Sequence, residues 1–224
     1  MFVKIPGVLE AGEVARVVER LENAPFEDGR ATATGPAARA KNNLQLAPAA
    51  PDAAELRDLV MRGLARSERF KQAVLPKLVM PPVFNRYDIG MQYGAHVDAP
   101  TSRGGGEPVR LDVSVTVFLT DPATYEGGEL VIETLSGGIG IKLAAGDAVV
   151  YPASTLHRVA PIRAGRRLAA ITWARSLVRD PAQRELLCEL ELARATLEQQ
   201  VPDAGAALEL LSKTYANLVR MWTD

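Results

Sequence analysis

The chain has 224 residues, of which 47% are hydrophobic and 24% are charged, and its formal net charge is −1 at pH 7. This composition excludes an intrinsically disordered chain, and the length fits one elaborated domain better than two equal domains. Because charges of both signs are interspersed, nothing predicts broad attraction to nucleic acid or to an anionic membrane, and we expect a small or local substrate.

Three features predict a cytoplasmic protein. The single cysteine, Cys188, cannot form an intramolecular disulfide, and its setting in LLCEL predicts a buried apolar side chain. The first residues, MFVKIPGVLEAGEV, lack the apolar core and cleavage site of a signal peptide. No apolar run approaches the length of a membrane-spanning helix, so no membrane partner is expected.

The first third of the chain is predicted to be helical cover with irregular connections. Two segments carry apolar residues at helical spacing: Val14, Val17, Val18 and Leu21 in the first, and Leu56, Leu59, Val60 and Leu64 in the second. Between them, residues 29–51 are rich in Ala, Pro and Gly, which predicts mostly loop with KNNLQL as a short strand.

From about Leu78 the pattern changes to short β-rich runs separated by turn residues. Eight runs follow one another: LVMPPVFNRY, MQYGAHVD, VRLDVSVTVFLT, GELVIET, GIGIKL, DAVVYP, LHRVAP and RRLAAITWARS. Such a series predicts a sandwich or barrel of short antiparallel strands. In VRLDVSVTVFLT the apolar residues alternate from Leu111 to Leu119, which predicts one continuous apolar face toward a core.

After Asp180 the β pattern stops and two helices are predicted, PAQRELLCELELARATLEQQ and LELLSKTYANLVRMWTD, separated at VPDAGAA by Pro202 and Gly205. We expect this C-terminal hairpin to pack on the sheet or on another subunit, which makes a homo-oligomer plausible. It carries no residues that indicate chemistry.

The two histidines of the chain fall beside a carboxylate and at the start of a late strand. His96 and Asp98 are separated by one residue, so in a strand they point to the same face, and a sandwich can bring His157 beside them. Two histidines and one carboxylate that leave open coordination positions are the ligand set of non-haem Fe(II) oxygenases. The HxD pair alone is a weak signal, and a single strand histidine is more often structural.

Two further residues favour the metal-site interpretation. Arg167 follows His157 by ten residues, and its planar guanidinium is suited to binding a carboxylate in a cleft. Tyr87, nine residues before His96, can add a phenol donor to the same carboxylate. A metal with open positions and a carboxylate-binding arginine indicates a small keto acid as co-substrate.

Three segments, NRYDIGMQYGAHVD, YEGGEL and GDAVVYPASTLHRVAPIRAGRR, resemble the iron(II)/2-oxoglutarate-dependent dioxygenases of the prolyl-4-hydroxylase superfamily, and most closely the bacterial PKHD-type hydroxylases. The strongest similarity covers residues 78–177. The resemblance implies a mainly β fold with helical cover, a double-stranded β-helix (jelly roll). It also implies three parts: an N-terminal helical and irregular segment (1–77), the dioxygenase domain (78–177) and a C-terminal helical hairpin (178–224).

The resemblance further implies that His96, Asp98 and His157 are iron ligands and that Arg167, assisted by Tyr87, binds the distal carboxylate of 2-oxoglutarate. Arg166 is the nearest competitor, but adjacent strand residues face opposite sides and the family spacing favours Arg167. The implied cofactors and co-substrates are Fe(II), 2-oxoglutarate and O2, with L-ascorbate as a candidate reductant. The implied substrate is peptidyl or prolyl, or a small molecule linked to iron acquisition.

Several alternatives stay open at this point. The chain could be a non-catalytic Fe(II)/2-oxoglutarate-binding sensor, or a cupin-like metalloenzyme that does not use 2-oxoglutarate, against which Arg167 and Tyr87 argue. A nucleic-acid substrate is disfavoured because Trp173 stands where the nucleic-acid-demethylating branch has a second arginine. SGGIGIK is interpreted as a hairpin turn and not a phosphate-binding loop. RGGGEP is either a mobile loop over the substrate or a plain connection.

Overall fold

The computed structural model describes residues 2–102, 107–201 and 203–223. Fifteen strands lie within these ranges: β1 (Val3–Ile5), β2 (Phe26–Asp28), β3 (Lys41–Asn42), β4 (Leu44–Leu46), β5 (Pro76–Val79), β6 (Val83–Tyr87), β7 (Gln92–His96), β8 (Val113–Phe118), β9 (Glu126–Gly127), β10 (Leu130–Thr134), β11 (Gly137–Ile141), β12 (Ala148–Pro152), β13 (His157–Val159), β14 (Ile162–Ala164) and β15 (Arg167–Ser176). Every run predicted as β-rich contains at least one of them.

The strands form two main antiparallel sheets. The larger sheet has the order β1-β12-β8-β15-β6-β4-β2, with β5 also paired to β15, and the smaller has the order β11-β10-β13-β7-β3. A further pair joins β9 to β14. In both main sheets, strands that are distant in the sequence are neighbours, so residues from the middle and the end of the chain meet.

Six α-helices occur in the same described residues: α1 (Ala11–Glu22), α2 (Gly35–Ala40), α3 (Ala53–Arg66), α4 (Glu68–Val74), α5 (Pro181–Gln200) and α6 (Gly205–Trp222). The apolar faces of α1, α3 and α4 pack on the larger sheet in one core, to which Val17, Leu56 and Phe70 contribute. This agrees with the predicted helical cover, and α1 and α3 carry the apolar residues that predicted them.

The strand β8 is buried on both of its faces. Val113, Val115 and Val117 lie in the core beneath the helices, as the alternation predicted. The polar residues between them, Ser114 and Thr116, are also buried, at 0% and 1% exposure. Because buried polar groups need partners, this second face of β8 points to a polar interior and not to solvent.

The prediction that residues 29–51 are mostly loop is wrong in part. A 3-10 helix (Gly29–Thr32) and α2 occupy much of the segment. Proline in the first turn of α2 is favourable because its missing N–H has no helical partner there, and the following alanines are strong helix formers.

The segment KNNLQL, predicted as one strand, crosses between the two sheets. Its first part, β3, pairs with β7 of the smaller sheet, and its second part, β4, pairs with β6 of the larger sheet. Asn43, between the two strands, is 2% exposed and its side-chain amide donates to Asn85 Oδ1 at 2.9 Å. The segment therefore joins the two sheets at one side of the space between them.

The C-terminal helices pack on the body of the chain through α5, which contacts α4. Cys188 is 3% exposed and belongs to the main core, as predicted. The described residues of α6 include none that are buried, and Leu210 and Met221 are exposed. Association of two chains through these helices stays a prediction, as does the three-part division of the chain.

The fold also bears on the predictions about turns and membrane segments. β10 and β11 form the hairpin predicted around SGGIGIK, with Gly137 at a positive φ of 110°. The first four residues of RGGGEP, 103–106, lie outside the described residues, as does Pro202. Across residues 2–102, 107–201 and 203–223, no helix combines the length and apolar character that crossing a membrane requires.

Candidate metal centre and its cavity

The three predicted metal ligands meet at one point between the sheets. β7 pairs with β13 so that His96 lies directly opposite His157. Asp98 follows just beyond the end of β7, and its Oδ1 lies 3.8 Å from the Nε2 atom of each histidine. All three candidate ligand atoms lie within 4.8 Å of one another. The structure therefore brings together two imidazoles and a carboxylate that could hold a metal ion.

Hydrogen bonds fix the orientation of each of these three side chains. His96 Nδ1 lies 2.8 Å from the Gly94 carbonyl oxygen, and His157 Nδ1 lies 2.9 Å from that of Thr155. A carbonyl oxygen only accepts, so each Nδ1 donates and each neutral ring keeps an Nε2 lone pair. The Ser114 hydroxyl donates to Asp98 Oδ2, which leaves Oδ1 toward the histidines. Partners of this kind orient metal ligands in proteins.

The surroundings favour the uncharged form of His96. Burial, followed by the proximity of His157, lowers the pKa of His96 from 6.5 to about 4. Tyr93 stacks on the His96 ring with 3.5 Å between centroids, and Tyr151 meets the His157 ring edge-on at 5.0 Å. Since a neutral imidazole is the form that binds a metal, His96 is in the metal-binding form at neutral pH.

A cavity of about 670 Å³ opens beside this centre and is lined by residues of both sheets. Its volume is within the range of about 300–1,000 Å³ that is usual for pockets that bind small molecules. The lining includes His96, Asp98 and His157, and extends to Tyr87 and Arg167. The five residues predicted to form the site therefore line one cavity.

Arg167 is the most unusual group in this cavity. It is 1% exposed, and in the part of the chain that the structure describes none of its three guanidinium nitrogens has a hydrogen-bond partner. Its guanidinium carbon lies 5.3 Å from the centre of the Tyr87 ring and 5.4 Å from that of Phe118. Removing an unpaired charge from water is costly, so this arrangement fits an anionic ligand.

Two tyrosines accompany this arginine. Burial raises the pKa of Tyr87, and the positive charge of Arg167 partly offsets the effect. Burial also raises the pKa of Tyr125, and the neighbouring Arg167 partly offsets this effect through its positive charge and its proximity to the phenol. The buried Tyr125 hydroxyl makes no hydrogen bond of ordinary geometry with the described residues. Both phenols stay protonated at neutral pH and can donate hydrogen bonds to a carboxylate near Arg167.

The two glycines of YEGGEL make the close packing around Arg167 feasible. Gly127 and Gly128 both have positive φ angles, 77° and 67°, a conformation that favours glycine. A Cβ atom on Gly128 would lie 2.4 Å from Ile162 Cδ1 and 3.1 Å from Arg167 Cδ. A side chain at this position would therefore clash with Ile162 and crowd the Arg167 stem.

Arg166, the competing candidate, points out of the cavity. Its Nε donates to Asp88 Oδ1 at 2.6 Å, and its side chain is 43% exposed. Neighbouring residues of a strand face opposite sides, so the alternation at the start of β15 separates the roles of Arg166 and Arg167.

The sequence reasoning missed three residues of this site: Ser114, Tyr125 and Lys41. Ser114 lies on the polar face of β8, and its alternation with valines was the available signal. Tyr125 opens the segment YEGGEL, two residues before its glycine pair. Lys41 opens the segment KNNLQL, where only a strand was predicted.

Comparison with known proteins agrees with this architecture. The family model described as 2OG-Fe(II) oxygenase superfamily matches residues 82–175, and the model described as PKHD-type hydroxylase C-terminal domain matches residues 181–224. A PKHD-type hydroxylase of Methylobacterium nodulans is 46% identical over 226 residues, and one of Xanthomonas campestris pv. campestris (strain 8004) is 44% identical over 228 residues. Each comparison covers 100% of both chains.

Among solved structures, the chain is similar to a prolyl hydroxylase from Trichoplax adhaerens in complex with a hypoxia inducible factor peptide fragment. The TM-score is 0.55 at 17% identity, covering 83% of this chain and 86% of that one. This likeness concerns the fold alone and confirms the predicted jelly roll. Together with the full-length relatives, it leads to one conclusion: the chain belongs to the PKHD-type hydroxylase family of the 2OG-Fe(II) oxygenase superfamily.

Proposed function

We propose that the chain uses Fe(II), 2-oxoglutarate and O2 to hydroxylate a C–H bond of a peptidyl or small-molecule substrate. In the balanced reaction, one oxygen atom of O2 enters the substrate as a hydroxyl group and the other enters succinate, with release of CO2. The observation that carries this proposal is the partnerless Arg167 guanidinium in the same cavity as the two histidines and the aspartate.

The metal is assigned to His96, Asp98 and His157. A donor set of two imidazoles and one carboxylate suits Fe(II) and leaves coordination positions free for other ligands. When bound, iron would supply the activation of O2 and the oxidation of the C–H bond. The protein's part is to fix three ligand atoms, and the hydrogen bonds from Ser114 and to the carbonyl groups of Gly94 and Thr155 serve that purpose.

The co-substrate is assigned to the space that contains Arg167 and Tyr87. 2-Oxoglutarate has a carboxylate at each end, so one end can reach the metal while the other is bound by Arg167. Charge-assisted hydrogen bonds to a guanidinium are among the stronger polar contacts in proteins, and the buried site removes competing water. The Tyr87 hydroxyl adds a second donor beside the same carboxylate. L-Ascorbate, as the reductant that keeps iron ferrous, also belongs to this proposal.

The test is an anaerobic calorimetric titration of 2-oxoglutarate into Fe(II)-loaded protein, beside metal-free protein and the variant Asp98→Ala. We expect binding that requires iron and is lost in Asp98→Ala, because the variant lacks one metal ligand. Absence of iron-dependent binding in the wild type would contradict the proposal.

Turnover separates the enzyme from the sensor considered above. Admitting O2 to the loaded wild-type protein should release succinate, and His96→Ala should not. If the protein bound 2-oxoglutarate tightly but released no succinate with any substrate that was tried, the result would favour a non-catalytic sensor. A link of the substrate to iron acquisition stays a prediction.

A further inference from the structure

One wall of the cavity is formed by the N-terminal segment of the chain. Residues 31–34 and 37 line it together with Lys41 and Gln45. The pairing of β3 with β7 places Lys41 opposite Tyr93, whose ring stacks on His96. This wall therefore reaches the candidate metal centre from a different side than β15, which carries Arg167.

Lys41 is a buried cation whose partners do not neutralise its charge. It is 7% exposed, and its Nζ donates to the Thr32 hydroxyl at 2.9 Å and lies 5.2 Å from the centre of the Tyr93 ring. The Thr32 hydroxyl in turn lies 2.8 Å from Gln45 Oε1. No carboxylate of the described residues forms an ion pair with this ammonium.

Two aspartates act on Lys41 from further away, Asp98 and Asp28. Asp28 forms an ion pair with Arg30 at the surface, and Asp98 is the carboxylate assigned to the metal. Once a divalent cation is bound, the charge of Asp98 is more than balanced. The ammonium then faces a cavity in which the described residues leave its charge uncompensated, a situation that favours a bound anion.

The inward face of β15 runs along the cavity, away from the end assigned to the co-substrate. Arg167, Ile171 and Trp173 are separated by even numbers of residues, so they share one face of the strand, and all three line the cavity. At about 3.3 Å per residue, Trp173 is roughly 20 Å from Arg167 along the strand. The buried indole Nε1 of Trp173 has no hydrogen-bond partner among the described residues. A second unused donor therefore lies far from the group assigned to 2-oxoglutarate.

We propose that Lys41 is a specificity-determining residue that binds an anionic group, a carboxylate or a phosphate, of the primary substrate beside the metal. The proposal rests on the function proposed above. The apolar side chains that line the cavity would contact the carbon skeleton of this organic anion; they include Met80, Pro81 and Ile171. The substrate class is thus an organic acid, a phosphate ester or a peptide that presents an acidic group.

The experiment uses Mn(II)-loaded protein saturated with 2-oxoglutarate under anaerobic conditions, where no turnover occurs. Three probes share one ring and differ in the head group: benzoate, phenyl phosphate and benzamide. Calorimetry gives their affinities, and relaxation of the probe protons by Mn(II) shows whether they bind beside the metal. We expect at least one anionic probe to bind about tenfold or more tightly than benzamide, and the stronger of the two identifies the head group.

The variant Lys41→Met keeps most of the buried stem and removes the charge, so it should abolish the preference for the anionic probe. Lys4→Met, an exposed lysine on β1, is the matched control and should keep the preference. Thr32→Val removes the hydroxyl that holds the ammonium and should weaken the preference by a smaller factor. Retained 2-oxoglutarate binding in each variant shows that the protein is folded.

Three results would overturn the proposal: no probe binding by the wild type, equal binding of anionic and neutral probes, or an unchanged preference in Lys41→Met. A fall in 2-oxoglutarate affinity in Lys41→Met would assign the lysine to the co-substrate and would also overturn it. Failure of the proposed function is seen separately, in the first titration, as absence of metal-dependent 2-oxoglutarate binding by the wild type before any probe is added.

Discussion

Among the described residues, two arginines are almost fully buried, and they differ in what surrounds them. Arg184, where α5 meets the body of the chain, donates from Nη1 to the carbonyl oxygens of Val178 and Arg179, each at 2.8 Å. Arg167, between the sheets, has no partner for any guanidinium nitrogen among the described residues. Their exposures are 4% and 1%, so burial alone does not distinguish them.

The difference shows how a structural cation and a ligand-binding cation can be separated within one molecule. Burial lowers the pKa of Arg184, but its hydrogen bonds to backbone carbonyls use the charge within the fold. The guanidinium of Arg167 makes no hydrogen bond with the described residues, so its burial lowers the free energy of unfolding. An anionic ligand bound to this group can remove that unfavourable contribution. The following predictions test this distinction, beginning with the largest expected effect.

The substitution Arg167→Met should weaken 2-oxoglutarate binding to the metal-loaded protein by roughly 10²- to 10³-fold, because it removes a buried charged donor from the carboxylate. The same change should leave the free energy of unfolding of the ligand-free protein equal or higher, since an unpaired buried charge is lost. Calorimetry and urea unfolding measure the two quantities. A large loss of stability in the ligand-free state would place Arg167 with Arg184 as a structural cation.

Lys41 should make stability depend on pH in the alkaline range. Burial lowers its pKa from 10.5 to about 8, so between these values the unfolded chain binds more protons than the folded one. The free energy of unfolding should therefore rise with pH across this window, by about 3 kcal/mol in total. The measurement compares urea unfolding of wild type and Lys41→Met from pH 7.5 to 10.5. If the free energy of unfolding varied with pH in the same way in both proteins, burial of the Lys41 ammonium would not destabilise the folded state.

The substitution Arg184→Met should lower the free energy of unfolding by about 2 kcal/mol, because it leaves the carbonyl groups of Val178 and Arg179 without their buried donor. Binding of 2-oxoglutarate should be unchanged, since this arginine does not line the cavity. Urea unfolding and calorimetry again provide both readings. A selective loss of 2-oxoglutarate affinity at full stability would contradict the structural role.

Ser114→Ala should weaken metal binding about tenfold, because Asp98 would lose the donor that holds Oδ2 and leaves Oδ1 toward the histidines. Competition with a chelator of known affinity measures the change. Thr116→Val, one pleat further along the same face of β8, is the control and should alter metal affinity less. Equal effects of the two substitutions would mean that general packing, and not orientation of Asp98, supports the metal.

The smallest effect is expected from Arg166→Ala. Its ion pair with Asp88 lies at the surface, where such pairs contribute about 0–1 kcal/mol, and its side chain points away from the cavity. The affinity for 2-oxoglutarate should change by less than about twofold. A loss comparable with that in Arg167→Met would reverse the assignment of the two neighbouring arginines.

The elements that could be predicted are those with a repeating pattern. The alternation in β8 and the helical spacing of α1 and α3 predicted these elements and their buried faces. Short elements without a period were not predicted, among them α4 and α2. Helix α4 follows α3 after the single residue Ser67, whose hydroxyl accepts from the Phe70 N–H at 3.2 Å, and its 7 residues are too few to establish a helical period.

For the site, the sequence predicted residue types with a direct chemical role, and the geometry now places all five in one cavity. Groups that reach the site only through pairing between distant strands were not predictable. Ser114 reaches the site because β8 brings its hydroxyl to Asp98. Lys41 reaches the site because β3 pairs with β7 next to the candidate metal centre. Such roles depend on strand pairing between distant parts of the chain, which no local pattern encodes.

The crossing of KNNLQL between the two sheets also bears on how this protein can evolve. The groups assigned to the metal and 2-oxoglutarate come from residues 87–167, whereas much of one cavity wall comes from one continuous stretch, residues 31–45. Substitutions in that stretch therefore change one wall of the cavity without changing the residues assigned to the metal and 2-oxoglutarate. Because β3 pairs with one sheet and β4 with the other, backbone hydrogen bonds hold this stretch in place when its side chains change.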